Sequence, residues 1–187
     1  MKRILTAFVL AATLAVYAAM LAWSLPSLSA IAAGNGLVDA RMFDMRPAGY
    51  DFETSKALLT ALGEPGRDWY LSVQQRLDTA FPVLNGLSIF IGLTFVARQF
   101  RKTNALTTAF AAIPALAAAG FDLAENAAVA VMLRAGPNAV TTEMAASASA
   151  LSIVKSAAVT CSLVLLLAGL AFAGYRYWRK GGGIHGS

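Results

Sequence analysis

Residues 106–133 read LTTAFAAIPALAAAGFDLAENAAVAVML, a run whose only charges are Asp122 and Glu125. At 1.5 Å per residue it spans about 42 Å as a helix, more than the roughly 30 Å hydrocarbon core of a bilayer. The excess length and Pro114 predict tilt, a kink or a late start. An ionisable side chain near the membrane centre costs roughly 2.5–3.5 kcal/mol on insertion scales. Acids placed there turn inward, pair, or are used. The segment therefore defines both the solvent of the fold and the place to look for a site.

Three further runs share this character: Ile4–Leu25, Phe81–Ala97 and Ala148–Tyr175. With residues 26–80 as an outer segment, they predict an all-α fold, a four-helix transmembrane bundle with an extracytoplasmic helical hairpin between its first two spans. Apolar residues make up 58% of the chain and charged ones 13%, against roughly 45–50% and 25% in soluble domains. The 187 residues leave no room for a sizeable soluble domain beside four spans, so 1–187 reads as a single integral membrane domain. Ile4–Leu25 also admits a second reading, a secretory signal with Lys2-Arg3 ahead of it and Ala30-Ile31-Ala32 as cleavage site. The run is longer than the usual h-region of about 7–15 residues, which favours an uncleaved span.

The net charge of +5 is distributed, not diffuse. Lys2, Arg3, Arg98, Arg101, Lys102, Arg176, Arg179 and Lys180 flank the spans on one side with no acid among them. The connections on the other side mix six basic with eight acidic residues. This is the positive-inside pattern, with both termini cytoplasmic. Basic charge used for topology argues against a nucleic-acid partner. The single Cys161 excludes an intramolecular disulfide, and the single His185 argues against a histidine-based metal site or a serine triad. No metal or cofactor is expected.

Within the outer segment, Gly34-Asn35-Gly36 and Arg46-Pro47-Ala48-Gly49 are turn signals. Asp51 as N-cap, Phe52, Leu58, Leu59 and Leu62 on one face, and Gly63 as stop predict a short amphipathic helix. Pro65 suits the first turn of another helix, running with Trp69, Tyr70, Val73 and Leu77 toward the membrane and into the second span. Gly136-Pro137-Asn138 is a tight connection between the third and fourth spans.

Asp122, Glu125 and Asn126 stand at i, i+3 and i+4 on one helix face. Lys155 lies about 10 Å into the fourth span, close in depth to both carboxylates, with Ser149, Ser152, Ser156 and Thr160 on its side. Asp78 and Asn85 line up on the second span. These groups are expected to converge in the outer half. Two readings follow: Lys155 and a carboxylate simply hold two helices in register, or the acid left over is poised as a proton donor, carrier or headgroup ligand. In the outer segment, Arg41, Asp44, Arg46, Tyr50, Asp51, Arg67, Asp68, Tyr70 and Arg76 read individually as solvated surface. Together they form a candidate lid, with Arg46 or Arg67 holding an anionic headgroup.

Phe43-Asp44-Met45-Arg46 through Gly49-Tyr50, Ala61-Leu62-Gly63-Glu64-Pro65-Gly66-Arg67 with Tyr70, Leu77-Asp78 with Phe81-Pro82, and Phe121-Asp122-Leu123-Ala124-Glu125-Asn126 resemble, in that order, segments of a family of small, uncharacterised bacterial membrane proteins with four predicted spans. The resemblance implies a multi-pass protein of the bacterial inner (cytoplasmic) membrane and a shared pattern of Arg46, Tyr50, Arg67, Asp78, Asp122, Glu125 and Asn126. The family carries no established activity.

The expectation is thus a membrane protein that binds a lipid-like or amphiphilic ligand in a pocket of Asp78, Asn85, Asp122, Glu125, Asn126 and Lys155, with Arg46, Arg67, Tyr50 and Tyr70 contributing from the outer segment. Any chemistry would be acid–base work by Asp122 or Glu125. The alternative is an accessory or scaffolding subunit, with a partner membrane protein or a second copy, whose buried polar groups specify packing.

Overall fold

A computed structural model describes residues 2–100 and 105–181; Arg101, Lys102 and His185 lie outside the described residues. The described chain is an all-helical bundle. The first helix combines α1 (Lys2–Ala19), a π-helical turn (Met20–Ser24) and α2 (Leu25–Gly34). It therefore runs past Leu25, the expected end of the first span. Pro26 sits in the first turn of α2, where its missing N–H costs least. The wider π turn, closed by the Leu25 N–H on the Met20 carbonyl, falls just ahead of the proline ring and lets the helix continue.

A loop with a 3-10 turn at Phe43–Met45 leads to α3 (Phe52–Trp69), a second π turn (Tyr70–Gln74) and α4 (Gln75–Phe100). Asp51 caps α3 by accepting from the Thr54 N–H at 2.8 Å. Gly63, with φ 62° and ψ −178°, breaks it. Gly136, with φ 68° and ψ −179°, breaks α5 (Ala105–Ala139) in the same way. Both occupy a backbone region essentially restricted to glycine, so the stop expected at Gly63 and the turn expected at Gly136-Pro137-Asn138 share one device. Beyond Gly63 the chain stays helical into α4, so the second span is continuous with the helix before it. Pro114 produces no non-helical residue in α5. The chain then turns into α6 (Thr142–Gly181).

Four helical stretches, Arg3–Gly34, Phe52–Gln99, Ala105–Ala139 and Thr142–Arg179, are long and apolar enough to cross a membrane. α4, α5 and α6 pack against one another, and α1 lies on α4. The main core sits at the end where the 35–51 loop docks, around Leu28, Phe43, Leu58, Leu62, Tyr70 and Met132. A smaller cluster of Ile89, Leu93, Ala111, Ala115 and Ala118 joins α4 to α5 toward the other end. There α6 leaves Val164, Leu167 and Phe172 exposed, as a lipid-facing surface would.

Candidate functional site

The i, i+3, i+4 spacing on α5 brings Asp122, Glu125 and Asn126 to the buried side of the helix. α6 delivers Lys155 to them. Its Nζ lies 3.4 Å from Asp122 Oδ1 and pairs with Glu125 Oε2. The Ser152 hydroxyl, one turn away on α6, donates to Glu125 Oε1. Lys155 thus serves both carboxylates, and Glu125 is fully buried behind it.

α4 joins through backbone and side chain. The Asn126 amide donates to the Asp78 carbonyl, and Gln74 Nε2 donates to both Asp78 carboxylate oxygens at 2.9 and 3.0 Å. Gln74 closes the π turn and is itself buried. Asp122, Glu125 and Lys155 thus form one ion-paired cluster, to which α4 is tied through the Asp78 backbone carbonyl while the Asp78 carboxylate is held by Gln74.

One acid comes from an unexpected place. The 3-10 turn inserts Asp44 into the bundle, where its Oδ2 accepts the Tyr70 hydroxyl at 2.7 Å. From there it acts through space on Asp78, Asp122, Glu125 and Lys155. Read as sequence, Asp44 belonged to a solvated surface; its setting between buried Phe43 and an aromatic partner is the signal that identifies it. Tyr70 is fully buried and stacks on Phe43, which also packs on Tyr50. The Tyr50 N–H donates to Ser149 Oγ at 2.8 Å, fastening the loop to α6. Burial pushes the Tyr50 hydroxyl above its ordinary pKa, with Glu125 and Asp44 adding to the shift, so the phenol stays neutral.

Two expected anion ligands are placed elsewhere. Arg46 is buried, but its guanidinium bonds Asp39 Oδ2 at 3.0 Å and the carbonyls of Asp39 and Arg41. It pins the loop instead of facing the carboxylates. Arg67 donates to the Leu59 carbonyl at 3.2 Å and lies beside Gly136. It satisfies an orphan carbonyl at the helix end left by Gly63. Both guanidiniums answer to nearby backbone oxygens, a demand that a pattern of charges does not display.

Asn85 stands apart from the ion-paired cluster and opens with Asp122 and Lys155 onto a groove of about 530 Å³. Ser156 and Thr160 continue the polar floor. Leu14 and Tyr17 of α1, Phe81 of α4 and Val159 and Leu163 of α6 form apolar walls, with Pro47 of the loop at the rim. The groove exists because α1 packs on α4 while making almost no contact with α6. The serines and threonine of α6 thus divide: Ser149 and Ser152 hold the loop and Glu125, whereas Ser156 and Thr160 face the groove. Among the described residues, no group of three or more His, Cys, Asp and Glu side chains is arranged to hold a metal ion.

Among the described residues, an all-α bundle with four helices long and apolar enough to span a bilayer defines the class, a multi-pass membrane protein. Protein-family models, curated proteins and solved structures return no match to this chain, so its function is argued from the site.

Proposed function

We propose that the protein is a small inner-membrane protein that binds a lipid-like or amphiphilic ligand in the groove between α1 and α6. Both termini are cytoplasmic in this reading, and the 35–51 loop caps the site from the outer leaflet side. The observation that carries it is the groove itself: a polar floor of Asp122, Lys155, Asn85, Ser156 and Thr160 beneath apolar walls, flanked by two helices that scarcely touch. That polarity matches an amphiphile with its headgroup on the floor and its chain toward lipid, and the gap supplies lateral access. Any acid–base chemistry would fall to Asp122, which meets the groove, and not to Glu125, which is sealed behind Lys155.

Native mass spectrometry of the gently solubilised protein, wild type beside Asp122→Asn, tests this. A discrete copurifying mass, lost from a variant that remains folded, is expected. Bare protein in both samples at every detergent concentration would overturn the reading. The topology has its own test. A cysteine replacing the fully exposed Val38, in a Cys161→Ser background, should react with an impermeant maleimide added outside the cell.

The second reading, an accessory or scaffolding subunit, draws support from the pairing of Lys155 with two carboxylates and of Asn126 with the Asp78 carbonyl. These contacts tie α4, α5 and α6 together without needing a ligand.

A further inference from the structure

The charge balance around the groove bears on which headgroup it takes. Lys155 is the cation of the buried cluster, and Asp122 and Glu125 already share it. Asp44 adds a further carboxylate within electrostatic range of that lysine. The guanidiniums that would restore balance are committed elsewhere, Arg46 to Asp39 and loop carbonyls, Arg67 to the Leu59 carbonyl. Asp44 Oδ1, Gln74 Oε1 and Asn126 Oδ1, and with them the Tyr50 hydroxyl, have no hydrogen-bond partner within the protein. An anionic headgroup entering such a field meets repulsion at low dielectric, whereas a cation is drawn in.

A second, independent feature points the same way. Tyr17 of α1 and Phe81 of α4 stack at 5.5 Å between ring centroids, and both line the groove that Asp122 opens onto. Aromatic faces beside a carboxylate are the usual surroundings of a bound ammonium, whose charge is attracted by the ring quadrupoles. Tyr17 is exposed and is not required to close the core, whereas Phe81 also packs against it.

We propose that the groove selects an amphiphile with an ammonium headgroup, held between the Asp122 carboxylate and the Tyr17–Phe81 pair, with its chain along Leu14, Val159 and Leu163. This rests on the amphiphile-binding reading above and gives the ligand its charge. Ammonium headgroups occur both on zwitterionic membrane lipids and on free amphiphilic amines.

The test uses the full-length protein in a neutral detergent and four probes of one chain length: dodecyltrimethylammonium, dodecyl phosphate, dodecylphosphocholine and a neutral dodecyl glycoside. Retention is read by native mass spectrometry. The ammonium probe should be held at least about tenfold more tightly than the phosphate, a difference on the scale of one ion pair with cation–π support. Asp122→Asn should abolish that preference. Because the change also alters the Lys155 pairing, Tyr17→Leu serves as a second variant, lowering ammonium retention by a larger factor than retention of the neutral probe. Phosphocholine held as well as the ammonium assigns a zwitterionic lipid; its rejection assigns a free amine. Equal or tighter binding of the phosphate overturns the ammonium assignment while leaving the amphiphile site standing. Failure of all four probes overturns the site itself.

Discussion

The Tyr70 hydroxyl donates to Asp44 Oδ2 at 2.7 Å, and this one bond carries a loop carboxylate into the buried cluster. Tyr70 is fully buried in the π turn ahead of α4, and Asp44 lies in the 3-10 turn between α2 and α3. Because the other carboxylate oxygen, Oδ1, has no partner within the protein, Asp44 depends strongly on this contact.

Tyr70→Phe should therefore destabilise the protein by about 1–3 kcal/mol, the range for stranding a hydrogen-bonded charged group. In an Asp44→Ala background the same change should cost much less, because the acceptor is gone. Unfolding midpoints in detergent for the four species of this cycle check it. Equal costs in both backgrounds would show that the hydroxyl does not hold the loop.

Lys155 pairs with Asp122 and Glu125. Lys155→Met leaves two buried carboxylates facing each other without a cation and should cost about 3–5 kcal/mol. Adding Glu125→Gln removes the more deeply buried of those charges and should recover more than half of the loss. Denaturant titrations of the single and double variants measure this. A double variant as unstable as Lys155→Met would mean that Glu125 is not the partner that makes the lysine necessary.

What could be read before the structure follows from which forces are local. The four spans were legible because burial in lipid is set by length and hydropathy alone. The pairing among Asp122, Glu125 and Lys155 was legible because an ionised group in hydrocarbon must find a partner. Gly63 and Pro65 announced the break and restart of the helix through backbone chemistry. The continuation of the first helix through Pro26 was not legible, since it depends on a π turn that absorbs the proline. Asp44, Arg46 and Arg67 were misplaced for a related reason. Their partners are a distant phenol, a nearby carboxylate with loop carbonyls, and the carbonyl of Leu59 at a helix end, contacts created by folding and not by spacing.

Asp39 gives the loop a defined response to acid. Hydrogen bonds from Arg41, reinforced by the charge of Arg46, hold its carboxyl well below the usual carboxylate range. A group depressed in the folded state contributes stability above its unfolded value, about 3.9, and loses it only as pH falls through the folded one. Asp39→Asn should therefore weaken loop docking at neutral pH. The gap between variant and wild type should narrow only below about pH 4. Hydrogen exchange along residues 39–46 across the pH range, compared for the two proteins, reports this. A gap that stays constant to the lowest pH would exclude Asp39 as the titrating group.

Gly49 packs closely against α6. With φ at +82°, a Cβ built there would sit 2.6 Å from Ser149 Oγ and 3.0 Å from Ile153 Cδ1. Gly49→Ala therefore adds backbone strain to a steric conflict. Relief requires Ser149 to move, and Ser149 is the acceptor of the Tyr50 N–H. The substitution should cost about 1–3 kcal/mol, the range for overpacking a tight contact. It should also raise hydrogen exchange selectively at the Tyr50 amide and along residues 46–50. Ser149→Ala removes the acceptor together with the oxygen that a Cβ would meet, so Gly49→Ala should cost less in that background than in the wild type. Exchange at Tyr50 unchanged in Gly49→Ala would mean that the loop is held to α6 by something other than this hydrogen bond, and Pro47 would then lose its argued place at the rim of the groove.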